Sequence, residues 1–167
     1  MGTWHTIQAT IASEFSDLAN LEQLTRTVLR LVLAAFLGGC MGWQRERDGH
    51  DAGIRTHMLV AAASALFLLM PAQLGMDDEA TSRVLQGLLA GVGFLCAGAI
   101  LKLPEADRVQ GLTTAAGVWM TAAIGVAAGL GQETTAVFGT LLVLAIFLLE
   151  GPLRRVGAGR PRPEPRR

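Results

Sequence analysis

Five apolar stretches, Leu24–Trp43, Thr56–Leu74, Val84–Leu103, Leu112–Leu130 and Thr134–Leu149, constrain the fold of this chain more than any other feature. Each is close to the roughly 20 residues that an α-helix, rising about 1.5 Å per residue, needs to cross a hydrocarbon core about 30 Å thick. Backbone groups in hydrocarbon must pair within their own segment, so the expected form of each stretch is a helix. Hydrophobic residues are 51% and charged residues 17% of the 167, and mean hydropathy is +0.41. That balance is too apolar for a domain that must cover itself with water-facing side chains. The expectation is an all-α membrane protein, a bundle of about five transmembrane helices over residues 24–150. A polar interfacial segment is expected over 1–23, and a disordered Arg/Pro-rich tail over 151–167 that cannot bury a core. Met1–Asn20 lacks the basic start and continuous apolar run of a cleavable signal peptide.

A formal net charge of zero conceals a steep asymmetry. Arg45, Arg47 and Arg55 surround the first loop, Lys102 and Arg108 the third, and Arg154, Arg155, Arg160, Arg162, Arg166 and Arg167 occupy the tail. The intervening connections hold Arg83 alone. Basic loops stay in the cytoplasm, which predicts five crossings with the N-terminus outside and the C-terminus inside. At an offset of 58 residues Phe36-Leu37 aligns with Phe94-Leu95, Gly53 with Gly111, Ile54 with Leu112 and Thr56 with Thr114, the pattern of a parallel repeat of helix pairs 1-2 and 3-4.

Helices in lipid associate through small residues and interhelical hydrogen bonds, because lipid tails are as apolar as leucine. Gly38 and Gly42 on the first helix, Gly91 and Gly98 on the third, and Gly117 and Gly125 on the fourth are therefore read as packing positions. Arg30, Gln86 and Cys96 are polar or polarisable groups inside spans, and Arg30 is read as an anchor at the outer end with Asp77, Asp78, Glu79 or Glu133 as partner. Cys40 and Cys96 both lie in apolar segments and suggest neither a bridge nor a zinc site.

The cytoplasmic boundary gathers Arg45, Glu46, Arg55, Thr56, His57, Lys102, Thr113 and Thr114, with Gln110 and Glu150 at the same level. Two helices begin there, so unpaired N–H groups and positive dipole ends favour an anion or a phosphate head group. Glu46 is expected to answer Arg55 or Lys102. These residues form either an interfacial anchor or a binding site for a lipid, metabolite or partner. Asp48 and Asp51 stand among arginines, so no metal site is expected. No nucleophile elbow, HExxH or phosphate-loop motif is present, and neither an enzyme nor a cofactor is expected.

The series Gly38-x-x-x-Gly42-x-x-Arg45-Glu46, Ala52-Gly53-Ile54-Arg55-Thr56-His57, Gly91-Val92-Gly93-Phe94-Leu95-Cys96-Ala97-Gly98, Gly111-Leu112-Thr113-Thr114-Ala115-Ala116 and Trp119-x-x-Ala122-Ala123-x-Gly125 closely resembles the MgtC/SapB family. The resemblance implies a multi-pass protein of the bacterial inner membrane. It implies a role in growth at low magnesium and survival of pathogens in host cells, with the ATP synthase as a partner. Departures are Cys96 where many relatives have Gly, Ala90 where they have Ser, and Gln86 one position from their Gln. Some relatives append a soluble regulatory domain after the last helix, where here Gly151–Arg167 stands.

The leading expectation is a non-enzymatic regulator that binds another membrane protein through its glycine faces or its charged inner rim. The alternative is a transporter or channel for an ion such as magnesium or a small solute, motivated by Arg30, Gln86, Lys102 and the repeat. The lipid bilayer is the expected surrounding, a homodimer is compatible with the small-residue faces, and no nucleic-acid partner is expected.

Overall fold

Capping chemistry, as much as hydropathy, decides where the helices begin. In the computed structural model, which describes residues 3–14, 20–100 and 110–157 with side chains as far as Leu149, Asn20 Oδ1 accepts the Glu22 N–H at 3.0 Å. That cap opens α2 at Leu21, ahead of the expected Leu24. Asp77 Oδ1 accepts the Ala80 N–H at 2.7 Å, and Asp78 and Glu79 complement the dipole in the first turn. The next apolar helix therefore starts at Asp78, six residues before Val84. The described elements are α1 (Thr3–Glu14), α2 (Leu21–Arg47), α3 (Ile54–Gln73), α4 (Asp78–Ala99), α5 (Leu112–Gly129) and α6 (Glu133–Gly157), with no strand among the described residues.

Four of these, α2 to α5, are long and apolar enough to cross a membrane. The apolar part of α6, Glu133–Leu149, is shorter, although the helix continues to Gly157, past the expected end at Leu149. Residues 3–14, expected only as a polar segment, form α1, which buries no residue and touches no other described helix.

The hub is α5, which packs against α2, α3, α4 and α6. Its seam with α3 is nearly backbone on backbone: a Cβ on Gly129 would lie 2.6 Å from the Ala65 carbonyl oxygen, and one on Gly125 would strike the Ala61 carbonyl oxygen. On α2, a Cβ at Gly38 would lie 2.5 Å from the His57 carbonyl oxygen, and one at Gly42 would lie 2.6 Å from Ile54 Cα. Ala34, Leu37, Met41, Ala61, Ala65, Ile124, Ala128, Ala136, Val143 and Phe147 fill the core around these contacts. Close approach of small residues is what holds helices together where no water is expelled.

The glycines of α4 differ from the expectation. Gly91 and Gly98, and Gly87 with them, have nothing within 4 Å of a Cβ among the described residues, so no described helix packs on them. Only Val92 and Cys96 of α4 are buried, and an apolar groove of about 550 Å3 lies between Gly87 and Gly91 on one side and Val60, Ser64 and Phe67 of α3 on the other. A four-residue glycine step specifies a smooth face, but whether a neighbour fills it is set by how far the helix leans away.

Candidate functional site

The loop of residues 48–53 returns the chain from α2 to α3, and the end of α4 at Ala99 and the start of α5 at Gly111 line a cavity together with that loop. This brings the basic end of α2 beside the starts of α3 and α5. Glu46 Oε2 accepts the Ile54 N–H at 2.9 Å and so caps α3, where an ion pair with Arg55 or Lys102 is the expectation from sequence. A Cβ at Gly53 would lie 2.5 Å from the same oxygen, so a side chain there would displace the Glu46 carboxylate from its present position. Glu46→Ala is expected to lower stability by about 1 kcal/mol, the usual worth of a side-chain cap. A thermal or denaturant midpoint equal to that of the parent chain would contradict the capping role.

Arg45, one residue earlier, points the other way and is 0% exposed. Its Nη2 donates to Thr114 Oγ1 of α5 at 3.1 Å, and its guanidinium carbon lies 4.8 Å from the centroid of the Phe147 ring of α6. The planar cation is thereby held between a hydroxyl acceptor and an aromatic face. His57, also 0% exposed, shares a 2.7 Å hydrogen bond between Nδ1 and Thr121 Oγ1. Thr121 gives its own hydroxyl hydrogen to the Gly117 carbonyl at 2.9 Å, which leaves His57 Nδ1 as the donor of that bond. Met41 Sδ stands 3.6 Å from the same hydroxyl. A Cβ at Gly117 would lie 3.1 Å from the Phe147 ring, so glycine there leaves room for the ring that stacks on Arg45. A centre of Arg45, His57, Thr114, Thr121 and Phe147 thus ties α2, α3, α5 and α6 together.

Directly beside it opens a cavity of about 500 Å3, lined among others by His50, Asp51, Thr56, Gly111 and Thr114. Gly111 starts α5 with φ of +88°, and a Cβ there would strike the Ala99 carbonyl at the end of α4, so a side chain has no space. Gly53 and Gly111, aligned in the sequence repeat, are the N-cap residues of α3 and α5, and Thr56 and Thr114, also aligned, line the one cavity.

Of the expected cluster, Arg45, Thr56, His57 and Thr114 therefore meet at or beneath the cavity. Arg55 and Thr113 are exposed, and Lys102 lies outside the described residues, as does the Glu150 side chain. Gln86 is exposed on α4. Cys96 is buried and its thiol donates to the Ala115 carbonyl at 3.2 Å, a contact that joins α4 to α5. Both cysteines are free. Arg30 is the anchor at the opposite end: Nη1 donates to the Gly129 carbonyl at 3.2 Å and Nε lies 3.5 Å from Glu133 Oε1. The Thr121 partner of His57 and the Phe147 face under Arg45 lie beyond what the sequence singles out. Thr121 stands in the sequence only as the residue midway between Gly117 and Gly125, and Phe147 as one apolar residue among many. No group of three or more potential metal ligands occurs among the described residues.

An all-helical membrane protein with a buried cationic centre at one end is the class these features define. The chain belongs to the MgtC family: the model of that family matches residues 31–156, which span the whole site. It is 45% identical to protein SrpB of Synechococcus elongatus over 126 residues, covering 69% of each chain. It is 40% identical over 131 residues to a protein of Escherichia coli named "Putative magnesium transporter YhiD", covering 72% of this chain and 60% of that one. Over 133 residues it is 38% identical to protein MgtC of Brucella abortus, covering 80% of this chain and 55% of the relative. The match thus spans little more than half of the longer relatives. No solved structure matches the chain.

Proposed function

We propose that this chain is a non-enzymatic regulator of the bacterial inner membrane, its N-terminus outside and its basic end in the cytoplasm, which holds a partner membrane protein at the Arg45 end. The observation that carries this reading is the one-sidedness of the polar centre. Arg45, His57 and Thr121 sit beneath a cavity at one end, while beyond them Ala34, Ala61, Ala65 and Ala128 are all 0% exposed and pack at glycine-mediated helix seams. An ion path needs polar lining along its length, whereas a receptor needs it at one mouth. Exposed Arg47, Asp48, Asp51 and Arg55 give that mouth a mixed-sign rim suited to electrostatic recognition. The distribution of basic residues supports the orientation. The names of relatives support a setting in magnesium physiology, with adaptation to low magnesium as the expected role and the ATP synthase as a candidate partner by family resemblance.

Gentle extraction of native membranes followed by pull-down of the full chain is expected to recover a defined membrane protein. Arg55→Glu, at an exposed position, is expected to lower that recovery about tenfold through like-charge repulsion, with the amount of folded chain unchanged. Recovery indifferent to this charge reversal contradicts the rim as the docking surface. The name of the Escherichia coli relative favours a second reading, a magnesium transporter caught with its cavity open at one end. Purified chain in sealed vesicles is expected to hold gradients of magnesium, protons and potassium. Flux abolished by Arg45→Ala replaces the regulator with the transporter.

A further inference from the structure

Ser64 of α3 is 1% exposed, and its Oγ has no hydrogen-bond partner among the described residues. The hydroxyls of Thr81, Thr121 and Thr140 each donate to the carbonyl four residues earlier in their own helix, and Ser64 makes no such bond. It lies ten residues into α3, about 15 Å from the helix start and so near the middle of a hydrocarbon core. Neither water nor a head group stands at that depth to serve it.

Ser64 lines the apolar groove of about 550 Å3 between α3 and α4. On the opposite wall Val84, Gly87, Leu88, Gly91 and Leu95 recur at three- and four-residue steps and form one face of α4. Gly87 and Gly91 stand nine and thirteen residues beyond the start of α4 at Asp78, which is the same middle depth as Ser64. A Cβ on either would meet nothing within 4 Å among the described residues. Only Val92 and Cys96 of the 22 residues of α4 are buried.

The smooth wall and the unserved hydroxyl together select the occupant. An acyl chain fills apolar space but carries no acceptor at the midplane, so lipid in the groove leaves Ser64 without a bond. A helix brings backbone carbonyls, each with a second lone pair beyond its helical bond, and beside a glycine those oxygens are not screened by a side chain. Within this chain α4 itself offers that surface at that depth. Two copies inserted with one topology are related by a two-fold axis along the membrane normal, so their α4 helices run parallel and one contact fills both grooves.

We propose that the α3–α4 groove seats a second copy of this chain, α4 packed on α4 about that axis, with Ser64 of each copy donating to a backbone carbonyl at Gly87 or Gly91 of the other. The groove shares no lining residue with the cavity beside Arg45, so the dimer and the regulator reading stand or fall separately.

Gly93 supplies the control. It is two residues beyond Gly91, about 200° around α4 and at nearly the same depth, and a Cβ there also meets nothing within 4 Å among the described residues. Gly91→Cys and Gly93→Cys are therefore both expected to fold. Each is placed in a chain with Cys40 replaced by alanine, purified into phosphatidylcholine vesicles and oxidised with copper phenanthroline. Helices that touch at glycine bring the two Cα atoms within the roughly 7 Å that a disulfide spans, so Gly91→Cys is expected to yield a covalent dimer at least tenfold more abundant than Gly93→Cys does. Ser64→Ala keeps the Cβ that faces Gly125 and removes only the hydroxyl. It is expected to weaken association about threefold to tenfold, read as the loss of energy transfer between amino-terminally labelled copies when lipid dilutes the chain. Cross-linking at neither position leaves the groove to lipid or to another protein, and cross-linking at both alike reports random collision; either result overturns the proposal. Association unmoved by Ser64→Ala overturns it as well, because the copies then meet on a surface other than this groove.

Discussion

Gly125→Val is expected to open the seam between α3 and α5 and to cost about 3 kcal/mol or more. A Cβ at this position would strike the Ala61 carbonyl oxygen and lie 2.8 Å from Ser64 Cβ, and two further methyl groups would follow it. The obstacle is the backbone of a neighbouring helix, which cannot rotate aside as a flexible side chain can, so the helices must separate. Because α5 also carries α2, α4 and α6, separation at this seam loosens the whole bundle. Gly91→Val makes the same chemical change on α4, where the added Cβ meets nothing within 4 Å, and is expected to cost no more than about 0.5 kcal/mol. Unfolding by titration with a denaturing detergent ranks the two variants. Equal losses at both positions would contradict the placement of α4 relative to α3.

The second large effect is expected at Arg45. Arg45→Ala removes the hydrogen bond to Thr114, the stack on Phe147 and the volume of a fully buried side chain, at a combined cost of about 2 to 4 kcal/mol. Charge alone is not what the site uses: a lysine ammonium has neither the planar face that lies over the ring nor the forked donors of a guanidinium. Arg45→Lys is therefore expected to recover less than half of the lost stability in the same titration. Full recovery by lysine would mean that the position needs only a buried cation, and the geometry between Thr114 and Phe147 would lose its significance.

Hydropathy made the apolar helices legible because a lipid-facing segment must be apolar along its length, and the observed α2, α3 and α5 begin and end within a few residues of the expected spans. What hydropathy could not register was the polar first turn of α4, where Asp77, Asp78 and Glu79 depress the average while favouring the helix start. Glycine spacing marked smooth faces correctly in chemical terms. It did not distinguish Gly125, pressed onto α3, from Gly91, which faces open space, because periodicity along one helix carries no information about tilt between two. At the site, the clustering of Arg45, Thr56, His57 and Thr114 followed from their common depth. Their division of labour did not: Arg45 is fully buried and Arg55 exposed although both are arginines beside one loop. That difference arises because Arg45 occupies the face of α2 shared with Met41 and Gly42, four and three residues earlier, both buried in the seam.

If the polar centre communicates with water at one end only, a thiol placed on the cavity wall must be reachable from one side of the membrane. Thr56→Cys, in a chain with Cys40 replaced by alanine, offers one reactive thiol there, since the Cys96 thiol is buried against the Ala115 carbonyl. A membrane-impermeant maleimide is applied to sealed vesicles of opposite orientation. Labelling from the cytoplasmic face alone is the expected result. Labelling of the introduced thiol from the outer face, or equally from both, would contradict a cavity closed within the bundle.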